Sequence, residues 1–277
     1  MKTIDLRFRP NTPDAVEGLL SSPFFGEMVH YLKYPERAWS APIGKIVEMM
    51  EEHEIIGVIT GRDVEYTFPT TKNGNMGVAE LVAKFPGRFI GMAGLDPHKG
   101  VAAIEELKRM VGDYGMKGVS IDPYIARLPI NDKLFYPIYS RCAEMGLPIV
   151  VTTGPGTRVP ATQMDHSDPV LMDEVARDFP ELTVIMSHGG YPYIRQAIMV
   201  CHRNRNVFME LSEYETWPGA HEYVEAANTL IPDKIVFASA HPFYDSWKRQ
   251  ALYETLGFEP QVLANVLWNN AARIFGM

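Results

Sequence analysis

The sequence predicts a single (β/α)8 TIM barrel of the α/β class. Eight short apolar runs alternate with helical segments along the chain, and no change in composition separates one half from the other. The length of 277 residues suits one large barrel or two smaller domains, and a doubly wound sheet is the alternative. In a barrel the active site lies at the C-terminal ends of the strands, so the residues that follow each apolar run bear most directly on function.

The elements can be assigned in chain order from apolar periodicity. Buried or alternating apolar runs predict strands at residues 2–10, 54–60, 88–95, 116–121, 147–152, 182–187, 206–211 and 234–239. Helical spacing predicts helices at residues 43–53, 76–85, 101–111, 132–145, 169–179, 220–228, 244–256 and 260–275. The whole chain, residues 1–277, is therefore expected to form one domain.

The first run alternates apolar and charged side chains, as a β-strand does. The alternation predicts an apolar face and a charged face, formed by Ile4, Leu6 and Phe8 and by Asp5, Arg7 and Arg9. Arginine keeps its proton in proteins and has no lone pair for a metal, so Arg7 and Arg9 predict a fixed positive site. The alternative is that the arginines pair with Asp5 or point to solvent at the strand end.

Residues 10–42 separate the first strand from the first predicted helix. This Pro-rich connection is longer than most loops between a strand and a helix. Such insertions often form lids or partner surfaces, and packing against the outside of the barrel is the alternative.

Composition limits the partners and the cellular location. A formal net charge of −8 argues against general nucleic-acid binding, because phosphate contacts need a cationic surface. The two cysteines, Cys142 and Cys201, exclude a disulfide framework in practice, and we find neither a signal sequence nor an apolar run near 18 residues. We therefore predict a cytoplasmic protein that binds no membrane and no nucleic acid. The sequence is compatible with a homo-oligomer.

Catalysis by a cofactor or a nucleophile finds no support in the sequence motifs. There is no P-loop, no dinucleotide-binding glycine motif, no CxxC, no HExxH and no GxSxG. We expect no cofactor. Acid-base and electrostatic catalysis remain for an enzyme.

Two strand-end residues are candidate proton-transfer groups. His188 follows the sixth strand, and imidazole titrates near neutral pH; a structural histidine bonded to a backbone carbonyl is the alternative. Asp122 follows the fourth strand and can act as acid or base or hold an arginine, although an aspartate before a proline also begins turns.

Further strand-end residues are candidates for substrate binding. Arg62 is suited to a bidentate grip on a carboxylate, or it forms a salt bridge on its own loop. Glu210 would balance the arginines if its face points inward, which also suits a structural role. Tyr214 and His241 are predicted to line the pocket.

The strand-end segments resemble the amidohydrolase superfamily, and specifically its amidohydrolase-related branch. The resemblance is carried by IDLRFRP from Ile4, GLPIVVTTG from Gly146, FPELTVIMSHGG from Phe179, KIVFASAHP from Lys234 and NNAARIFGM from Asn269. It implies a TIM barrel that hydrolyses or decarboxylates a small carboxylated substrate. In the family the first strand ends in His-x-His, the fifth in histidine and the eighth in aspartate, and these residues bind a divalent metal.

Those metal-ligand positions differ in this sequence. They are occupied by Arg7, Arg9, Thr152 and Ala240, and of the usual site His188 alone is kept. One histidine cannot hold a catalytic zinc, and two fixed cations would repel the ion. The resemblance with these departures predicts a metal-independent, amidohydrolase-like hydrolase for a small anionic ring or lactone. The alternatives are a decarboxylase of the same branch and a non-catalytic, anion-binding barrel.

Overall fold

The barrel architecture is confirmed. In a computed structural model, which describes residues 1–22, 25–154 and 159–277, eight parallel strands follow one another in sequence order around one sheet. They are β1 (Thr3–Asp5), β2 (Ile55–Thr60), β3 (Phe89–Gly94), β4 (Val119–Ile121), β5 (Ile149–Thr152), β6 (Val184–Ser187), β7 (Val207–Glu210) and β8 (Ile235–Val236). All eight predicted strands form, and several are shorter than their apolar runs.

Helices connect the strands on the outside of the sheet. They are α1 (Pro13–Leu20), α2 (Gly26–Tyr31), α3 (Ile43–Glu52), α4 (Asn75–Lys84), α5 (Val101–Gly112), α6 (Pro123–Ala126), α7 (Tyr136–Glu144), α8 (Leu171–Asp178), α9 (Ile194–Arg203), α10 (His221–Thr229), α11 (Ser246–Tyr253), α12 (Pro260–Ala264) and α13 (Asn270–Phe275). The segment around Cys201 reads as a helix in the sequence, but no bounds were predicted for it, and it forms α9. A π turn over Asn265–Asn269 interrupts the predicted helix at 260–275. No helix in the described part of the chain combines the length and apolar character needed to cross a membrane.

The two ends of the sheet join through the first and last strands. The backbone N–H of Leu6 donates to the carbonyl of Phe237 at 3.0 Å, and Phe8 forms a parallel bridge with His241. The Asp5 carboxylate accepts hydrogen bonds from the Ser239 backbone at 2.9 Å and from the hydroxyl of Ser246 in α11 at 2.6 Å. Asp5 therefore closes the sheet and lies apart from the side chains of the arginines.

The prediction that apolar and charged side chains keep to opposite faces of the first strand is wrong beyond Leu6. Ile4 and Leu6 do lie in one cluster inside the sheet, but Phe8 belongs to a second cluster with residues of α3 and β3. Residues 6 and 7 form a turn between β1 and the bridge at Phe8. The turn breaks the period of two, so the apolar and charged residues no longer keep to separate faces.

The barrel interior is apolar below the strand ends. Alternate residues of neighbouring strands point inward, among them Val58, Val150, Ile185 and Val236, and all four are fully buried. Ala271 of α13 packs on the same cluster. This filled interior leaves the C-terminal ends of the strands as the place where polar groups gather.

The insertion at residues 10–42 carries α1 and α2. Its apolar residues, including Phe25, Val29 and Tyr34, pack in one cluster with Tyr124 and Phe243, which follow β4 and β8. The described part of the insertion thus lies on the strand-end side of the barrel. Trp39 of the same insertion packs on Trp247 of α11, with ring centroids 5.7 Å apart. The insertion therefore contacts both the strand ends and an outer helix, and its role as a lid stays a prediction.

Candidate active site

A small cavity opens at the C-terminal ends of the strands. Its volume is about 30 Å³, well below the range of about 300–1,000 Å³ that is usual for small-molecule sites. Its lining comprises Arg7, Arg9, Phe25, Met28, Arg62, Tyr124, Thr152, Gly154, His188, Glu213, Tyr214 and Phe243. The cavity therefore brings together cationic, acidic and aromatic side chains from several strand ends and from α2.

Arg7 is held in place by the ends of β6 and β7. Its Nη1 donates to the Ser187 hydroxyl at 2.7 Å, and its Nε lies 3.8 Å from a Glu210 carboxylate oxygen. Glu210 also accepts hydrogen bonds from the Ser187 hydroxyl and from the backbone N–H groups of His188 and Ser212, the last two at 3.1 and 2.6 Å. Although burial opposes ionisation, the charges of His188 in its protonated form and of Arg7 lower the pKa of Glu210, as do its hydrogen bonds. A buried carboxylate thus fixes one arginine and the two loops that carry the site.

His188 presents one ring nitrogen to the cavity. Its Nδ1 lies 3.0 Å from the Ser212 carbonyl, which fixes Nδ1 as the donor and leaves Nε2 with a lone pair. Burial and the charge of Arg7 lower the pKa of His188 below 6.5, so the ring is neutral at pH 7. A Cβ on Gly154 would lie 2.9 Å from Cδ2 of His188, so glycine leaves the space that the ring occupies.

A second ion pair forms on the opposite strands. Arg62 after β2 donates through Nε to Asp122 after β4 at 2.8 Å, and the Thr152 hydroxyl at the end of β5 donates to Asp122 at 2.6 Å. Burial opposes the charge of Asp122, but Arg62 overcomes it and holds the pKa of that carboxyl well below its usual range. Asp122 is therefore an ionised hydrogen-bond acceptor at neutral pH.

Arg9 and Glu213 differ from these paired groups. Within the described ranges, neither side chain forms a hydrogen bond or an ion pair. Burial and the neighbouring charges of Arg7 and Arg62 lower the pKa of Arg9 to about 9, which still leaves it charged at neutral pH. Both groups are half-buried and line the cavity, so they are available to a ligand.

Five of the eight predicted site residues line the cavity, namely Arg7, Arg9, Arg62, His188 and Tyr214. Asp122 does not line it, but its carboxylate is bonded to the lining residues Arg62 and Thr152. Glu210 and His241 have no exposed surface, and the prediction that they contact substrate is corrected here. Glu210 is occupied by Arg7 and by backbone groups, as the structural alternative foresaw.

His241 is also occupied inside the protein. Its Nε2 is 2.9 Å from the Asn11 side-chain oxygen, and its ring stacks on Phe8 with centroids 4.4 Å apart. Burial lowers the pKa of His241 to about 4. The residue joins β8 to the start of the insertion and does not face the cavity.

Tyr124 and Glu213 are among the cavity residues that sequence reasoning missed. Tyr124 lies one residue beyond the Asp122-Pro123 turn, and Glu213 lies three residues beyond the end of β7. Glu213 adopts a left-handed backbone conformation, with φ at 75°, that side-chain alternation along β7 does not predict. The one signal in the sequence that could have identified Glu213 is its position as an acidic residue in the loop that follows a strand end.

The residues at the family's metal-ligand positions do not fit a divalent metal. Arg7 and Arg9 carry no lone pair, Ala240 has no donor atom, and the Thr152 hydroxyl is bonded to Asp122. In the described residues, no group of three or more histidine, cysteine, aspartate or glutamate side chains could hold a metal ion. Among the described lining residues, Arg7, Arg9 and Arg62 carry the positive charge.

Comparison with known proteins identifies the family. Residues 37–277 match the amidohydrolase family. A TIM-barrel protein from Bordetella bronchiseptica superposes with a TM-score of 0.83 at 24% identity, covering 100% of this chain and 99% of that chain. A probable 2-pyrone-4,6-dicarboxylic acid hydrolase from Acinetobacter baumannii, solved with citric acid bound, gives a TM-score of 0.71 at 13% identity and covers 100% of both chains.

A curated relative matches a shorter stretch. The 2-amino-3-carboxymuconate-6-semialdehyde decarboxylase of Dictyostelium discoideum is 27% identical over 74 residues. The match covers 27% of this chain and 21% of the length of that relative. Decarboxylases and hydrolases are thus both among the proteins to which the chain is similar.

Proposed function

Because the chain belongs to the amidohydrolase family, whose members are enzymes that include hydrolases and decarboxylases, we propose that it hydrolyses a small carboxylated ring or lactone without a metal ion. One observation carries the proposal. The guanidinium groups of Arg7 and Arg9 and the free Nε2 of His188 line one cavity. Two fixed cations beside a neutral imidazole suit an anionic substrate and a proton transfer.

In this proposal Arg9 binds the substrate carboxylate and Arg7 stabilises the oxyanion. Arg9 has no partner among the described residues, so its charge is available for a bidentate contact. Arg7 is fixed by Ser187 and Glu210, which suits a group that must already be in position when charge develops on the substrate carbonyl.

His188 transfers the proton. Water attacks the lactone carbonyl carbon while Nε2 of His188 takes the water proton, and the ester C–O bond then breaks. The imidazolium returns that proton to the leaving alkoxide, so the products are a hydroxyl group and a carboxylic acid. Glu213, whose charge favours the imidazolium, stabilises the ring between the two transfers.

Decarboxylation is the second candidate, favoured by the similarity to the Dictyostelium decarboxylase. It is less compatible with the arginines if they hold the carboxylate that leaves. When CO₂ leaves, the electron pair of the broken C–C bond stays on the ring, so negative charge moves away from the carboxylate oxygens that a guanidinium would hold. The arginines would then stabilise the reactant more than the transition state. Hydrolysis keeps and increases negative charge near the same groups.

A ring substrate needs more room than the cavity of about 30 Å³ offers. Phe25 and Met28 of the insertion line the cavity, and the Arg62 guanidinium lies 4.9 Å from the centroid of the Phe25 ring. Access to the site therefore requires α2 to move outward. The proposal gives residues 10–42 the role of a lid.

The decisive experiment measures proton release and CO₂ release separately on the purified protein in buffer containing a chelator. The panel begins with 2-pyrone-4,6-dicarboxylate for hydrolysis and 2-amino-3-carboxymuconate-6-semialdehyde for decarboxylation. We expect proton release that chelation leaves unchanged. His188→Asn, which keeps a group bonded like Nδ1, should lower turnover by roughly 100-fold to 10,000-fold.

His202→Asn, at an exposed position of α9, is the matched control and should keep full turnover. Activity that disappears on chelation and returns with zinc or manganese would overturn the metal-free mechanism. CO₂ release in place of proton release would establish the decarboxylase. Tight binding of the panel without turnover would establish the non-catalytic, anion-binding barrel.

A further inference from the structure

A second, larger cleft lies beside the active-site cavity. It has a volume of about 410 Å³, within the range of small-molecule sites. Arg37 and Trp39 of the insertion line one part of it, and the segment that follows β8 lines the rest. The lining from that segment is Pro242, Phe243, Tyr244, Asp245, Lys248, Arg249 and Leu252.

The cleft is cationic and aromatic. Arg37, Lys248 and Arg249 supply three positive charges against the single carboxylate of Asp245 among the lining residues. The guanidinium carbons of Arg37 and Arg249 lie 4.5 and 3.7 Å from the centroid of the Tyr244 ring. Stacked guanidiniums keep their N–H edges directed sideways, which suits contact with an anion.

The acidic groups beside the cleft pair with two of its three cations, and Arg37 forms no ion pair with a described residue. Asp245 accepts a hydrogen bond from Nε1 of Trp39 at 2.8 Å and pairs with Lys248 at 2.5 Å. Arg249 pairs with the buried Glu215 at 3.0 Å, on the same loop that carries Glu213 into the active-site cavity. The Trp39 nitrogen is therefore occupied, and its indole ring contributes apolar surface to the cleft.

The cleft and the active-site cavity share a wall and a moving part. Phe243 lines both, and Tyr34 of the insertion packs on Phe243 with ring centroids 5.3 Å apart. The insertion contributes Phe25 to the cavity and Arg37 to the cleft. A ligand in the cleft that contacts both Arg37 and Lys248 would connect the insertion to the barrel.

We propose that this cleft is a second binding site for a planar organic anion with a doubly charged head, either a phosphate monoester or a dicarboxylate. Arg37 and the exposed Lys248 bind the head, and the indole ring of Trp39 contacts the planar ring. The bound anion joins the insertion to α11 and so holds the insertion over the active-site cavity. This site is separate from the proposed catalytic one and does not depend on it.

The test uses the full-length Arg9→Ala protein, in which anion binding at the active-site cavity is weakened. Titration calorimetry with AMP and with phthalate distinguishes a phosphate ester from a dicarboxylate, and adenosine and benzamide supply rings without the charge. We expect AMP or phthalate to bind at least 10-fold more tightly than its neutral counterpart. Adding Arg37→Ala or Lys248→Ala should weaken that binding about 10-fold, whereas adding Arg205→Ala, an exposed arginine, should not.

Hydrogen exchange tests the connection to the insertion. Backbone exchange in α2 should slow when the bound anion is present, and Arg37→Ala should abolish the effect. Absence of AMP and phthalate binding to Arg9→Ala, or equal binding by the Arg37→Ala and Lys248→Ala proteins, would overturn the site. Binding that depends on these residues but leaves α2 exchange unchanged would overturn the proposed hold on the insertion.

Discussion

The two arginines of the first strand lie two residues apart and have opposite environments. Arg7 is 6% exposed, donates to Ser187 and lies beside Glu210, whereas Arg9 is half-buried and has no partner in the described ranges. The same contrast separates the two glutamates. Glu210 is bonded to three hydrogen-bond donors and lies beside Arg7, whereas Glu213 forms no side-chain hydrogen bond with a described residue. The paired inner region and the unpaired outer region belong to one site.

The contrast indicates a division of labour. Paired buried charges are costly to disturb, because removing one partner leaves the other uncompensated in a region of low dielectric constant. Unpaired charges at the rim cost less to remove and are available to a ligand. The inner region should therefore control stability, and the outer region should control binding.

The largest expected effect is the loss of stability in Glu210→Ala. The substitution leaves Arg7 buried without its carboxylate and frees two backbone N–H groups, so the free energy of unfolding should fall by about 3–5 kcal/mol. Urea denaturation measures this free energy, and the control Glu222→Ala, which removes an ion pair with the exposed Arg195, should change it little. A fall below about 1 kcal/mol would show that the inner network is not what holds this region together.

Acidification tests the buried histidines. The pKa of His241 is about 4 in the folded protein against 6.5 when exposed, and that of His188 is also lowered. The unfolded chain thus takes up protons first, so stability present above pH 6.5 is lost as the pH falls towards 4, by about 3 kcal/mol for His241. His241→Gln, which keeps a group in place of Nε2, should remove this slope from denaturation curves measured between pH 7 and 4. An unchanged slope would contradict the buried neutral histidine.

Arg9→Ala should separate binding from stability. Loss of one charge-assisted hydrogen bond should weaken binding of a dicarboxylate at the active-site cavity by about 1.5–3 kcal/mol, with the unfolding free energy nearly unchanged. Arg7→Ala should weaken binding and also lower stability, because Glu210 then lacks its cation. Lysine should restore binding only in part at either position. Calorimetry measures the affinity, and urea denaturation measures the unfolding free energy. If Arg7→Ala and Arg9→Ala changed both quantities alike, the two arginines would not differ in role.

The smallest expected effect is a gain in stability. Glu213 has φ at 75°, a conformation that costs a non-glycine residue about 1–2 kcal/mol. Glu213→Gly should relieve this cost and raise the unfolding free energy by up to about 1 kcal/mol while lowering turnover. Glu54, with φ at 55°, directly precedes β2 at the N-terminal end of the strand, away from the cavity. Glu54→Gly should therefore give a similar gain in stability with full turnover. Lower stability in Glu213→Gly would show that the carboxylate supports the fold.

The sequence predicted the barrel well because apolar runs and strand-end polarity are local signals. It placed Arg7, Arg9, Arg62 and His188 at strand ends, and these residues meet at one cavity because parallel strands end on the same side. It could not separate Glu210 from Glu213, because the turn after β7 decides which carboxylate faces the cavity. It also gave no measure of how far Phe25 and Met28 of the insertion would fill the cavity.

The hydrogen bonds of Asp5 have a consequence for how the chain folds during synthesis. Asp5 in β1 is bonded to Ser239 and Ser246, more than 230 residues later, and these bonds join the two edges of the sheet. Until the ribosome has released that segment, one edge of β1 has no partner strand and the Asp5 carboxylate lacks its serine hydrogen-bond donors. Contacts of such long sequence separation form late and slowly. Nascent chains that stop before residue 239 should therefore depend on chaperones more than chains that extend through α11.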